Sequence, residues 1–298
     1  MTTFFEKLFR KNKPVLIKPD NEGTIDKSEQ QQTTPIAYGQ PEPPQLITGF
    51  AQSVGKQRDH NEDALFTLTT ALVSDTRQIP FGLYIIADGM GGHQHGEVAS
   101  AVAIRAMAGY VIRELYLPLF NTIDRPPRFS VQETMEKGVE EANEAVLRKD
   151  LGGGTTLTAA LVLGERLTIA HVGDSRAYLI DQDRNIEVLT RDHSFVTRLI
   201  ELGQITQQEA AVHPQRNVLY RALGQGEPFV PDIITAPLPH PGYLMICSDG
   251  LWGVVEQEAI LDNIFSAPTP ELACRNLAQL ANAAGGPDNI SVILVQMP

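Results

Sequence analysis

TTLTAALVLGERLTIAHVGDSRAYLID, residues 155–181, decides the fold of this chain. Its three runs, 155–164, 166–173 and 176–181, are rich in apolar and β-branched side chains and are parted by turn residues. Runs of this length and composition form strands, and near-continuous apolar character implies cover on both faces. Gly164-Glu165-Arg166 and Asp181-Gln182-Asp183 have hairpin chemistry, so an antiparallel meander is expected here.

Further strand-like runs lie on either side, at 46–55, 81–88, 243–249 and 290–297. Two helices are expected before the meander. One runs from Glu97 to about Leu117 and is Ala-rich; the other carries Val131, Met135, Val139, Ala142 and Val146 at helical spacing. A later helix has Thr269 as its N-cap, Pro270 in its first turn and a Gly285-Gly286-Pro287 stop. Antiparallel runs with helices collected between them argue for α+β layers rather than alternating βαβ units. The chain has no GxGxxG after a first strand and no GxxxxGK[ST], so nucleotide cradles of those kinds are unsupported.

Residues 20–45, DNEGTIDKSEQQQTTPIAYGQPEPPQ, are polar and rich in Gln and Pro. They read as a linker, making residues 1–45 a flexible N-terminal extension and 46–298 one domain. Hydrophobic residues make up 42% of the chain, enough for a core, and the net charge of -12 disfavours nucleic acid. Cys247 and Cys274 sit in apolar settings and read as buried thiols of a reducing compartment. No apolar stretch is long enough to span a membrane, and the N-terminal FFEKLFRK resembles no secretory signal. A cytoplasmic protein is expected.

Four Asp residues stand where apolar runs meet Gly, Asn or Glu: Asp63 in RDHNEDALF, Asp88 in IIADGMGG, Asp249 in MICSDGLWG and Asp288 in GGPDNISVILV. Singly, each reads as a turn residue. Together, carboxylates held at the rim of buried strands make a site for hard divalent cations, and the Cys/His clusters expected of zinc are missing.

Eight segments in this order carry a resemblance: RDHNEDAL (58–65), ADGMGGHQHGEVAS (87–100), GGTTLTAAL (153–161), HVGDSRAYL (171–179), RDHS (191–194), HPQRNVLYRALG (213–224), CSDGLW (247–252) and GGPDNISV (285–292). The chain resembles the metal-dependent Ser/Thr protein phosphatases of the 2C type, in their bacterial form. That resemblance implies a four-layer α-β-β-α sandwich, two antiparallel sheets flanked by helices. It further implies that Asp88 bridges two Mn²⁺ or Mg²⁺ ions and that the Gly89 carbonyl ligates one of them. Asp249 and Asp288 would hold the other, and Glu62 and Asp63 would hold metal-bound waters. Asp174 matches the position that helps bind a third, weaker ion. Arg58 would clamp the substrate phosphate, a task suited to its two-pronged fork.

Eukaryotic relatives place a His after the Asp-Gly pair; here that position is Met90. His60, between Arg58 and Asn61, is therefore a candidate proton donor. His93 and His95 are expected to cap a helix or face solvent, and His171, Met245 and Trp252 to lie in the core. The segment 192–223 reads as a flap with two short helical patterns broken at Gly203 and at His213-Pro214. The expected activity is hydrolysis of phosphoserine and phosphothreonine in proteins by a monomer that opposes a Ser/Thr kinase. A catalytically silent phosphoprotein binder, or a partner-switching phosphatase acting on an anti-sigma antagonist, are the alternatives.

Overall fold

The computed structural model describes residues 45–74, 77–91, 94–120, 128–149, 152–225 and 229–297. The chain divides into two units, Pro44–Phe120 with Pro127–Pro298, and Met1–Pro43 with Asn121–Pro126; every element below belongs to the first. Apart from Gln45, the expected extension lies outside the described residues, as does His93.

Strand β1 (Ile47–Ser53) precedes a long hairpin of β2 (Ala64–Ser74) and β3 (Arg77–Ala87). The two-residue β4 (Gly89–Met90) then leads into helices α1 (Gln94–Val111) and α2 (Val131–Leu147). Ser130 caps α2 by accepting from the Glu133 N–H, and Glu133 returns the bond, a reciprocal cap that sets where the helix begins. Strands β5 (Gly154–Thr155), β6 (Leu157–Leu163), β7 (Arg166–Val172), β8 (Arg176–Asp181) and β9 (Ile186–Val188) follow. Two short helices, α3 (Phe195–Glu201) and α4 (Gln207–Ala211), precede β10 (Asp232–Pro237) and β11 (Gly242–Cys247). The chain ends with α5 (Asp249–Trp252), α6 (Gln257–Ser266), α7 (Pro270–Ala283) and β12 (Ile290–Met297). Thr269 caps α7 as expected, accepting from the Leu272 N–H.

One sheet has the order β1-β12-β11-β8-β9 and the other β10-β7-β6-β3-β2, with antiparallel pairing between neighbours. The expected single meander is corrected by this topology. The β6–β7 hairpin belongs to one sheet and the β8–β9 hairpin to the other, so the chain changes sheet at residues 173–175. Gly173 (φ 110°) takes the bend, and a side chain there would collide with Thr156.

Alternate residues of the central strands face different layers. Phe81, Leu83 and Ile85 pack against Ala99, Ala103 and Met107 of α1 and Met135 and Val139 of α2. Tyr84 and Ile86, on the other face of β3, meet Leu244, Ile246, Ile293 and Val295 of the opposite sheet. Met245, Val292 and Leu294 turn outward to Leu261 of α6 and to Cys274 and Leu277 of α7. Three apolar interfaces thus separate four layers, α-β-β-α. The helices α1 and α2 approach closely at Gly138, where a Cβ would lie 2.7 Å from Met107 Sδ.

Strands β2 and β10 and helix α6 are not among the expected elements. Both strands are edges of one sheet, and β10 is only partly covered, so neither reads as a continuous apolar run. The first helix also ends earlier than expected, at Val111, and continues as a π turn (Ile112–Tyr116) and a 3₁₀ turn (Leu117–Phe120).

Candidate active site

Strand β3 is an inner strand, and Asp88 is the first residue beyond it. Its backbone is gripped by the adjoining segment: the Asp88 N–H donates to Thr156 Oγ1 (2.9 Å), and its carbonyl accepts from the Thr156 N–H (2.8 Å) and Thr155 Oγ1 (2.9 Å). Gly89 is buried, and its N–H donates to the Glu62 carbonyl (3.2 Å). A Cβ at Gly89 would strike the carbonyl oxygens of Gly96 and Glu62, so no other residue fits.

Asp249 opens α5 directly after Ser248, and Asp288 lies two residues before β12. Because β11 and β12 are paired neighbours, with Cys247 opposite Val292, both acids emerge at the same end of that sheet. Asp63 comes from the loop before β2 and is 7% exposed. Ser248 Oγ donates to Asp63 Oδ2 (2.9 Å) and accepts from the Ser291 N–H (2.9 Å), which ties that loop to β11 and β12. Asn289 completes the brace. Its Oδ1 accepts from the Glu62 N–H (2.7 Å), and its Nδ2 donates to the carbonyls of Val54 (2.8 Å) and His60 (3.0 Å). Neither Ser248 nor Asn289 was assigned a role from sequence.

The electrostatics join acids from separate segments. Burial, followed by the charges of Asp63, Asp249, Asp174 and Asp288, pushes Asp88 well above the usual carboxylate range. Burial likewise lifts Asp63 to about 7 and Asp249 to about 6, with Asp288 adding to both. Asp174 is raised by burial, Asp249 and Asp192. Two buried oxygens of these acids, Asp63 Oδ1 and Asp249 Oδ1, have no hydrogen-bond partner among the described residues. Leaving such atoms bare costs roughly 1–3 kcal/mol each, and a cation is the partner their charge calls for.

Among the described residues, no three His, Cys, Asp or Glu side chains stand together as a finished ligand cage. An all-oxygen donor set suits Mg²⁺ or Mn²⁺.

The remaining expected residues fall around this acidic centre. Arg58 Nη2 donates to Asp288 Oδ2 (2.7 Å), which holds its half-exposed fork at the rim. His60 Nε2 lies 3.3 Å from Glu62 Oε1. Met90 Sδ accepts from Gln225 Nε2 (3.6 Å) and carries no proton to give. His171 is fully buried between Thr158 Oγ1 (2.9 Å) and the Arg191 carbonyl (3.1 Å), and burial depresses its pKa to about 3. His95 is exposed and Met245 is in the core.

Trp252 packs against the edge of the outer core cluster, as expected in part, and also carries polar contacts. It is half-buried, lies under the Arg176 guanidinium, and donates its indole N–H to the Asp174 carbonyl (3.1 Å).

Segment 192–223 contains the two short helices anticipated for it, with Gly203 (φ 67°) ending the first. Its ends are laced together: the Phe195 N–H donates to the Val218 carbonyl (2.7 Å) and the Tyr220 N–H to that of His193 (2.9 Å). Its last residues pair back onto Thr155, beside Asp88, through Leu223.

A family model described as "Protein phosphatase 2C" matches residues 48–290. A serine/threonine phosphatase, stp, of Listeria welshimeri is 35% identical over 248 residues, covering 83% of this chain and 94% of that one. The crystal structure of the Mycobacterium tuberculosis serine/threonine phosphatase PstP/Ppp superposes with a TM-score of 0.72 at 33% identity, covering 85% of this chain and 99% of that one. The catalytic domain of PstP, solved in complex with two manganese ions, gives a TM-score of 0.69 at 31% identity over 85% of this chain and 99% of its own. This chain belongs to the protein phosphatase 2C family.

Proposed function

We propose that this protein removes phosphate from phosphoserine and phosphothreonine side chains of other proteins, as a metal-dependent hydrolase. The carrying observation is the electrostatic convergence of acids from five separate segments, two of them with a buried oxygen that lacks a hydrogen-bond partner among the described residues. Asp88, Asp249, Asp288 and the Gly89 carbonyl would hold two Mn²⁺ or Mg²⁺ ions. Glu62 and Asp63 would orient water around them, and Asp174 would serve a weaker third ion. When bound, such ions supply a water of lowered pKa and neutralise charge on the phosphoryl oxygens.

The chain's own side chains do the rest. Arg58, tethered at the rim by Asp288, would take a phosphate oxygen pair through its fork. Asn289 and Ser248 hold the loop bearing Glu62 and Asp63 against β12 and β11. Segment 192–223 would form one wall for the polypeptide around the phosphoresidue. With a thioether at position 90, leaving-group protonation falls to water or to His60. A silent binder would be expected to lack some of these acids, and all are present.

No described helix is long and apolar enough to cross a membrane. We place the enzyme in the cytoplasm as a monomer opposing a Ser/Thr kinase. The test is hydrolysis of p-nitrophenyl phosphate and of phospho-Ser, phospho-Thr and phospho-Tyr peptides with Mn²⁺ and with EDTA. Turnover that requires metal and favours phospho-Ser and phospho-Thr is expected. No turnover with Mn²⁺, or turnover indifferent to EDTA, would overturn the assignment.

A further inference from the structure

Four groups from three parts of the chain stand in one stack. Asp192 opens segment 192–223, and its carboxylate takes a two-pronged bond from Arg176, Nε to Oδ1 at 2.9 Å and Nη2 to Oδ2 at 2.7 Å. The Arg176 guanidinium carbon lies 3.5 Å from the centroid of the Trp252 ring. Trp252 closes the stack by donating its indole N–H to the backbone carbonyl of Asp174 at 3.1 Å. Trp252 and Asp249 share the four-residue helix α5, so one short rigid element carries a proposed ligand of the central ions and a hydrogen bond to the proposed ligand of the third.

We propose that Trp252, steadied by Arg176 and Asp192, is a positioning residue that fixes the Asp174 loop for the weaker third ion. A guanidinium clamped by a carboxylate and laid on an indole face fixes the ring's plane, and that plane aims the N–H. The Asp174 loop has no regular secondary structure of its own between β7 and β8; His193 holds Gly173 and Thr158 holds the Ser175 carbonyl, while the Asp174 carbonyl between them takes its bond from Trp252. The same stack begins at the root of segment 192–223, which connects that segment to the Asp174 loop.

The inference rests on the phosphatase reading, and the experiment separates the two. Trp252 is the only tryptophan of the chain, so indole fluorescence reports on this stack alone. The full chain is titrated with Mg²⁺, following fluorescence and the heat of binding together. The expected result is tight binding first, then a weaker phase that moves the indole signal. Asp174→Asn should delete that weaker phase while tight binding persists. Trp252→Phe keeps a ring beneath Arg176 but loses the N–H; followed by the heat of binding alone, since it removes the one indole, it should weaken the weaker phase by about 10-fold or more, the scale seen when a ligand's outer partner is removed. Arg176→Lys, which loses the fork, should act alike and serves if Trp252→Phe does not fold. A general packing role would instead lower the melting temperature and weaken every phase. The inference is overturned by an indole signal that ignores the weaker phase, by variants that bind the weaker ion as the wild type does, or by a wild type that binds only two ions. A wild type that binds no Mg²⁺ and hydrolyses no phosphomonoester with Mn²⁺ overturns the phosphatase reading along with it.

Discussion

Asn289 satisfies three backbone groups at once, on Val54, His60 and Glu62, and so shapes the loop that carries Arg58 and Asp63. Asn289→Ala leaves those groups without their partner in a site where water access is limited. A loss of about 10–100-fold in Mn²⁺ affinity or activity is expected, with about 1–3 kcal/mol of stability, read by calorimetry and urea unfolding. Arg58→Lys keeps the charge and loses the fork, so kcat/KM on phosphopeptides should fall about tenfold or more, the worth of a charge-assisted bond. The acids could be read from sequence because each follows or precedes an apolar run. Ser248, Asn289 and Trp252 could not, because their partners lie far away in sequence: 185 residues separate Ser248 from Asp63, and 78 separate Trp252 from Asp174. A lone Trp in an apolar stretch carries no sign that its N–H will find a loop carbonyl.

Among the elements, the root of segment 192–223 is the least conventional. His193 is buried, with Nδ1 accepting from the Gly173 N–H (3.1 Å), which leaves its Nε2–H to donate to Asp232 Oδ2 (3.1 Å). Arg221 Nη1 reaches the same carboxylate at Oδ1 (2.8 Å), so Asp232 of β10 holds both ends of the segment. Asp232→Asn removes the charge that gathers these donors. Amide hydrogen exchange at Phe195 and Tyr220, whose N–H groups close the root, should speed up; unchanged protection would count against the bracing role. The strands buried on both faces were legible as apolar runs, and α2 and α7 were legible from their stripe and caps. Edge strands β2 and β10 were not, since an edge needs no unbroken apolar face, and the π turn after α1 has no local signal at all.

Across the whole molecule, two buried populations oppose each other in acid. In the unfolded chain carboxyls titrate near about 4, whereas Asp63 is lifted to about 7 and Asp249 to about 6 in the fold. The metal-free fold therefore binds more protons than the unfolded chain over that window, and its stability falls as pH rises from ~4 toward 7. An ion competes with those protons, so the rise in melting temperature on adding Mn²⁺ should be larger at pH 8 than at pH 6. Equal shifts at both would contradict the assignment. His171 works the other way. Its folded pKa is depressed to about 3, so its contribution is complete above about 6.5 and declines as pH falls, by up to ~1.4 kcal/mol per unit. Its imidazole resonance should stay in the neutral form from pH 8 to 5.

The layer architecture follows from which faces the strands bury, and that much was legible. The change of sheet at Gly173 was not, because a glycine between two apolar runs reads equally as a hairpin or as a crossing. That crossing sets Asp174 beside α5 rather than in the middle of a meander. The most direct measurement is anomalous diffraction from a crystal of the protein soaked in Mn²⁺. Two manganese peaks about 3.5–4 Å apart, both touched by Asp88 and with Asp249 and Asp288 on one of them, are predicted. No peak among these acids, or a single ion that Asp88 does not reach, would contradict the account.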